Sequence, residues 1–138
     1  MAGVAPHRGG ETGSVPTPSG NRLFTAPAVL RAGNVTWVFA ADGGGTTAWT
    51  VQDGHLVQKW HAARAGTSPV VADGMLFVYD PGGGVQVYQA ETGEAVATLE
   101  SGAGHWNSPI VVDGRIALPE GNANAHATAG VLDIWRLP

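Results

Sequence analysis

Thr67-Ser68-Pro69-Val70-Val71-Ala72-Asp73-Gly74-Met75-Leu76-Phe77-Val78-Tyr79 reads as two short strands joined by a tight turn. Proline has a fixed φ and no N–H, so Pro69 opens the first strand rather than sitting inside it. Asp73-Gly74 between apolar runs is a hairpin signal, because both residue types tolerate positive φ. The flanking residues are β-branched or large and apolar, which suits a pleated, half-buried surface. The same arrangement recurs on either side. Ala26-Pro27-Ala28-Val29-Leu30 leads through Gly33-Asn34 to Val35-Thr36-Trp37-Val38-Phe39, and Ser108-Pro109-Ile110-Val111-Val112 leads through Asp113-Gly114 to Ile116-Ala117-Leu118. Pro27, Pro69 and Pro109 are 42 and 40 residues apart, the period of a structural repeat. A unit of that length cannot bury its apolar face alone and must stack on neighbours like itself.

The remainder of each unit repeats as well. A glycine-rich break follows the second strand at Asp42 to Gly45, at Asp80 to Gly84, and over the longer Pro119 to Gly130. A third strand carries an aromatic residue at Trp49, Tyr88 and Trp135. Turns at Asp53-Gly54-His55 and Glu91-Thr92-Gly93-Glu94 lead to fourth strands over Leu56 to Trp60 and Ala95 to Leu99. Four strands in about forty residues describe a blade of a β-propeller. The expectation is an all-β protein with about three four-stranded antiparallel repeats over 23–138, divided near 23–66, 67–106 and 107–138. Its structural turns fall at Gly33, Gly54, Gly74, Gly93 and Gly114, and Trp37, Trp49, Trp60 and Trp135 are read as core between blades.

The third repeat ends after its third strand. Glu11-Thr12-Gly13-Ser14-Val15 resembles Glu91-Thr92-Gly93-Glu94-Ala95, the turn before a fourth strand. Residues 1–22 are therefore read either as an outer strand completing a blade or as a tail rich in proline and glycine. Propellers close with roughly four to eight blades. Three repeats imply a partial propeller within a longer chain, or one completed by oligomerisation.

Composition agrees and removes other classes. Glycine is 21 of 138 residues, about 15% against a usual share of about 7%, as turn-dense β architecture requires. The formal net charge is −4 and the seven Lys and Arg residues form no cluster, so nucleic acid is not expected as a partner. No apolar run approaches the roughly 18 residues of a membrane helix, and no transmembrane segment is expected. The start, Met1 to His7, has no apolar signal core. The chain has no cysteine, which removes disulfides, thiol catalysis and thiolate-bound metals. Gly43-Gly44-Gly45 and Gly82-Gly83-Gly84 lack the following helix that a phosphate cradle needs. Asp53, Asp73 and Asp113 are explained by turn formation, and no catalytic residue is assigned.

Thr67 to Gly74, Ala90-Glu91-Thr92-Gly93 and Asn107 to Gly114 resemble the quinoprotein-type, or PQQ-like, propeller repeat family, over about residues 23–138. The resemblance implies blades of that type. The family contains dehydrogenases that bind pyrroloquinoline quinone (PQQ) with calcium, and non-enzymatic scaffolding or binding members that are periplasmic or extracellular. The chain departs from the enzymes by lacking their vicinal cysteine pair. Their tryptophan-docking repeat places a tryptophan four residues after the turn glycine, whereas Trp60 and Leu99 lie six after Gly54 and Gly93. The functional expectation is thus a non-catalytic module, without cofactor, that binds a protein or a small polar ligand. A fragment or remnant of a PQQ-dependent dehydrogenase is the alternative, and a self-assembling partial propeller is another.

One polar constellation stands out. His105, Trp106 and Asn107 lie between a fourth strand and the next first strand, while Glu120, Asn122, Asn124 and His126 lie between a second and a third strand. In an up-and-down blade those connections emerge on one face, so the seven residues form a candidate ligand-binding rim. Amides, imidazoles and a carboxylate suit hydrogen bonding to a sugar or peptide, and the indole offers a stacking surface. The alternative reading is structural: asparagines as turn formers, Trp106 wedged between blades, and Glu120 tying down the loop.

Overall fold

The computed structural model describes residue 10, residues 13–121 and residues 130–137. Every regular element among them is a β-strand, and the strands form three antiparallel sheets. The first sheet holds β1 (Ala28–Ala32), β2 (Val35–Asp42), β3 (Gly45–Gln52) and β4 (His55–Ala62), in that spatial order. The second holds β5 (Val70–Ala72), β6 (Met75–Tyr79), β7 (Val85–Gln89) and β8 (Ala95–Leu99), likewise in order. The third holds β9 (Ile110–Val112), β10 (Arg115–Glu120) and β11 (Val131–Arg136), with β10 central.

The tight turns explain this serial topology. Asp53-Gly54, Asp73-Gly74 and Asp113-Gly114 all have positive φ at both positions, as a two-residue type I′ hairpin requires. At the β1–β2 turn only Gly33 is left-handed, with φ 60°, and Asn34 follows it. The two complete sheets carry a bulge at matching places, between Ala48 and Trp49 and between Val87 and Tyr88. Each bulge adds twist just before the aromatic residue of the third strand.

Alternation along the strands gives every sheet two faces. Trp37, Phe39, Ala41 and Ala48 pack against Leu76, Val78, Tyr88 and Ala90, forming the junction of the first and second sheets. The opposite face of the second sheet, with Phe77, Tyr79, Val85 and Val87, meets Ile116 and Leu118 of the third. Trp135 and Leu99 close that second junction. The sheets approach most closely through their first strands, β5 lying beside both β1 and β9. There the Ser68 hydroxyl accepts a 2.9 Å hydrogen bond from the Ala26 N–H.

The tryptophans divide by face. Trp60 crosses the first junction from β4, donating its indole N–H to the Ala90 carbonyl at 2.9 Å. Its ring lies against Gly93, where a Cβ would stand 2.6 Å from an indole carbon. Gly93 also has φ 75°, so both backbone conformation and close approach require glycine. Trp49 does not lie between two sheets. It is buried on the far face of the first sheet, beside Thr47 and Ala40.

Residues 13–22, read beforehand as an outer strand or a tail, form no strand among the described residues. They lie against the far face of the first sheet. Gly13, Ser14 and Val15 sit beside Val51, Gly54 and His55 at one end, and Ser19 reaches Asp42 at the other. The two anchor points straddle Trp49 and Thr47. Residues 11 and 12, which carry part of the matching turn sequence, lie outside the described residues. Among the described residues the third sheet consequently has three strands, with one edge of β11 unpaired.

Candidate functional site

The connections leading into the first strands and those joining second to third strands gather at one end of the sheets. A repeated polar clasp holds them. The last residue of the second strand is a carboxylate in the first and third sheets, at Asp42 and Glu120, and Asp80 follows directly after β6 in the second. Each carboxylate accepts from the connection that enters its own repeat. Ser19 Oγ donates to Asp42 at 2.6 Å, Arg64 Nε donates to Asp80 at 3.0 Å, and the Gly102 N–H donates to Glu120. Asp42 and Asp80 also cap their own hairpins. Asp42 Oδ1 accepts from the Gly44 and Gly45 N–H groups, and Asp80 Oδ1 from the Gly82 N–H.

The electrostatics follow from these contacts. Burial alone would raise the Asp42 pKa, but the Ser19, Thr17, Gly44 and Gly45 donors outweigh it and leave it below the ordinary value of 3.8. Asp133, on β11, shares a hydrogen bond with Glu120. That shared bond raises the Asp133 carboxyl, while it and the Gly102 N–H lower Glu120. Burial, with the Glu120 and Asp80 carboxylates nearby, raises the Tyr79 phenol. Its hydroxyl donates to the Gly102 carbonyl at 2.9 Å.

Of the anticipated rim, His105, Trp106, Asn107 and Glu120 are described, and Asn122, Asn124 and His126 lie outside the described residues. Asn107 Nδ2 donates to the Pro119 carbonyl and stands 3.4 Å from that of Gly121. Gly104 and Gly121 form an isolated parallel bridge. These contacts bring the two connections together, and they employ Asn107 and Glu120 in holding backbone. The His105 and Trp106 rings meet with centroids 4.7 Å apart. Trp106 projects into solvent and meets Phe24 edge-on at 5.9 Å.

That aromatic pair borders a cleft of about 520 Å³. Its wall continues through Asn21, Arg22, Gly66 and Pro81 on the connections at this end of the sheets, and Asp42 at the end of β2. Phe24 and Trp106 are 68% and 58% exposed, so two large apolar surfaces stand open beside a guanidinium and an amide. The arrangement suits stacking and hydrogen bonding to a flat or extended polar ligand. Reading by residue type passed over Phe24 and Arg22, because they precede the first strand, where nothing in the repeat marks them. The spacing of Asp42, Asp80 and Glu120, 38 and 40 residues, was the available signal for the clasp. Among the described residues no group of three or more His, Asp and Glu side chains is placed to hold a metal ion. No helix among them is long and apolar enough to cross a membrane.

No protein-family model matches the chain, and no curated protein matches it. Among solved structures it is similar to the crystal structure of the computationally designed Ika4 protein, at 17% identity and a TM-score of 0.52. That likeness covers 80% of this chain and 64% of the designed one, so the chain spans less than two thirds of its length. At such low identity the match concerns fold alone: the chain shares a repeated all-β sheet architecture with that protein.

Proposed function

We propose that this chain is a three-repeat part of a quinoprotein-type β-propeller and acts as a non-catalytic binding or scaffolding module outside the cytoplasm. The observation that carries the reading is the use of the polar groups at the loop end. Asp42, Asp80, Glu120 and Asn107 are engaged with backbone and neighbouring connections, so these polar groups serve to stabilise the stack. Trp60 docking on Gly93 and Ala90 of the next repeat supports the kinship with that family. What stays open for a partner is the aromatic cleft of Phe24, Trp106 and Arg22, suited to a polypeptide segment or a small polar ligand.

The second reading, a remnant of a PQQ-dependent dehydrogenase, rests on the repeat resemblance, since Trp60 lies six rather than four residues after its turn glycine. Titration with PQQ and calcium separates the two. A binding module gives a flat difference spectrum in the quinone region and no turnover of alcohols or sugars. A saturable quinone spectrum with dye reduction would replace the first reading by the second.

A further inference from the structure

The outer face of the third sheet displays Ile110, Val112, Leu132 and Ile134, each 59–64% exposed, around Ala117. This is the same face that the first and second sheets use for docking. By the repeat, Ile110 and Ala117 correspond to Val70 and Phe77, and Phe77 is fully buried against the third sheet. Among the described residues the third sheet also lacks a fourth strand beside β11. A segment placed to supply one lies at the other end of the molecule, though it forms no strand within the chain. Residues 13–19 lie before β1 as β4 lies before β5, with intervening connections of eight and seven residues. They share one polar contact of a preceding fourth strand. Ser19 reaches Asp42 as Arg64 reaches Asp80, and Val15 lines a cleft with Gly54, whose turn is the counterpart of the one that holds Gly93.

We propose that the open side of the third sheet is covered by a second copy of this chain, joined head to tail. Residues 13–19 of one copy enter beside β11 of the other as its fourth strand, and the first sheet of that copy packs on Ile110, Val112, Leu132 and Ile134. The interface continues the two junctions already present within the chain. At each such contact it completes a four-stranded sheet, covers the exposed face of the third sheet and removes the unpaired edge. Being heterologous, it closes into a ring only if the rotation between copies allows. This proposal rests on the propeller reading for its geometry and is independent of whether the module binds PQQ.

The chain has no native cysteine, so a disulfide can report the contact without background. Aligning Gly13 with Gly93 places Thr17 opposite Ile134, as Ala97 stands opposite Val87. Light scattering of the unmodified chain is expected to give at least twice the 14.1 kDa chain mass. Thr17→Cys/Ile134→Cys is expected to form an interchain disulfide on mild oxidation, and neither single variant a comparable one. Leu132→Lys/Ile134→Lys is expected to return the monomer mass with β-type circular dichroism retained. A monomer for the unmodified chain overturns the proposal, as does a disulfide formed by Ile134→Cys alone, which would mean two third sheets face to face. Should the substituted chains fail to fold, the mass of the unmodified chain still decides. A monomer that is inert towards PQQ would remove this assembly and leave the binding-module reading standing.

Discussion

Gly93 and Gly114 show how one residue type carries different weights. Both have positive φ, 75° and 67°, where a side chain costs roughly 1–2 kcal/mol. Around Gly114 a Cβ meets nothing within 4 Å, whereas at Gly93 it would meet the Trp60 ring. Gly114→Ala should therefore lose about 1–2 kcal/mol, and Gly93→Ala about 3 kcal/mol or more, since overpacking adds to strain. Denaturant midpoints with unchanged slopes would measure this, and equal losses would contradict the docking of Trp60. Asp42 allows a second test at this scale. Its folded-state pKa lies below 3.8, so its contribution is complete above 3.8 and fades as pH falls through the folded value. Asp42→Asn keeps the shape but weakens two backbone hydrogen bonds, and should cost about 1–3 kcal/mol near neutrality. The gap between parent and variant should narrow in acid. A constant gap from neutral pH to pH 2 would mean that the charge of Asp42 is not what holds its hairpin.

At the scale of elements, what was legible followed the turns. Asp73-Gly74, Asp113-Gly114 and the Pro-led strands have short-range causes, so β5, β6, β9 and β10 could be read from local chemistry. The structure explains why Leu76 to Tyr79 is apolar throughout: Leu76 and Val78 face one junction, Phe77 and Tyr79 the other. Three features depend on distance and could not be read that way. The Phe24–Trp106 contact joins residues 82 positions apart. Trp49 carries the same aromatic mark as Tyr88, yet it lies on the outer face because no repeat precedes its own among the described residues. Residues 13–19 resemble a strand's approach, but a strand forms only beside a partner edge, and the neighbouring surface offers a face instead. Hydrogen exchange should follow this division. Amides of β6 and β7, covered on both faces, should exchange slowest, and in a monomeric sample those of β11 facing its open edge should exchange orders of magnitude faster. Uniform protection across β6, β7 and β11 in a monomeric sample would show that β11 has a partner within the chain.

For the whole molecule, the two junctions share the second sheet and nothing else. The connections that enter the first and third sheets meet through the Phe24–Trp106 contact at the rim, and neither core cluster spans all three sheets. Stability in such an array is a sum of neighbour terms, and damage to one junction need not spread. Phe77 is fully buried and points into the second junction, so Phe77→Ala should cost about 3–5 kcal/mol. The consequence should be local. Protection of β9, β10 and β11 should collapse at denaturant concentrations where β2 and β3, held by Trp37, Phe39 and Ala48, remain protected. Phe39→Ala should reverse the order and release the first sheet before the third. Residue-resolved exchange on the two variants measures both orders. Simultaneous loss of protection in all three sheets, in both variants, would mean that the sheets fold as a single cooperative unit, and the neighbour-by-neighbour account of this stack would have to be abandoned.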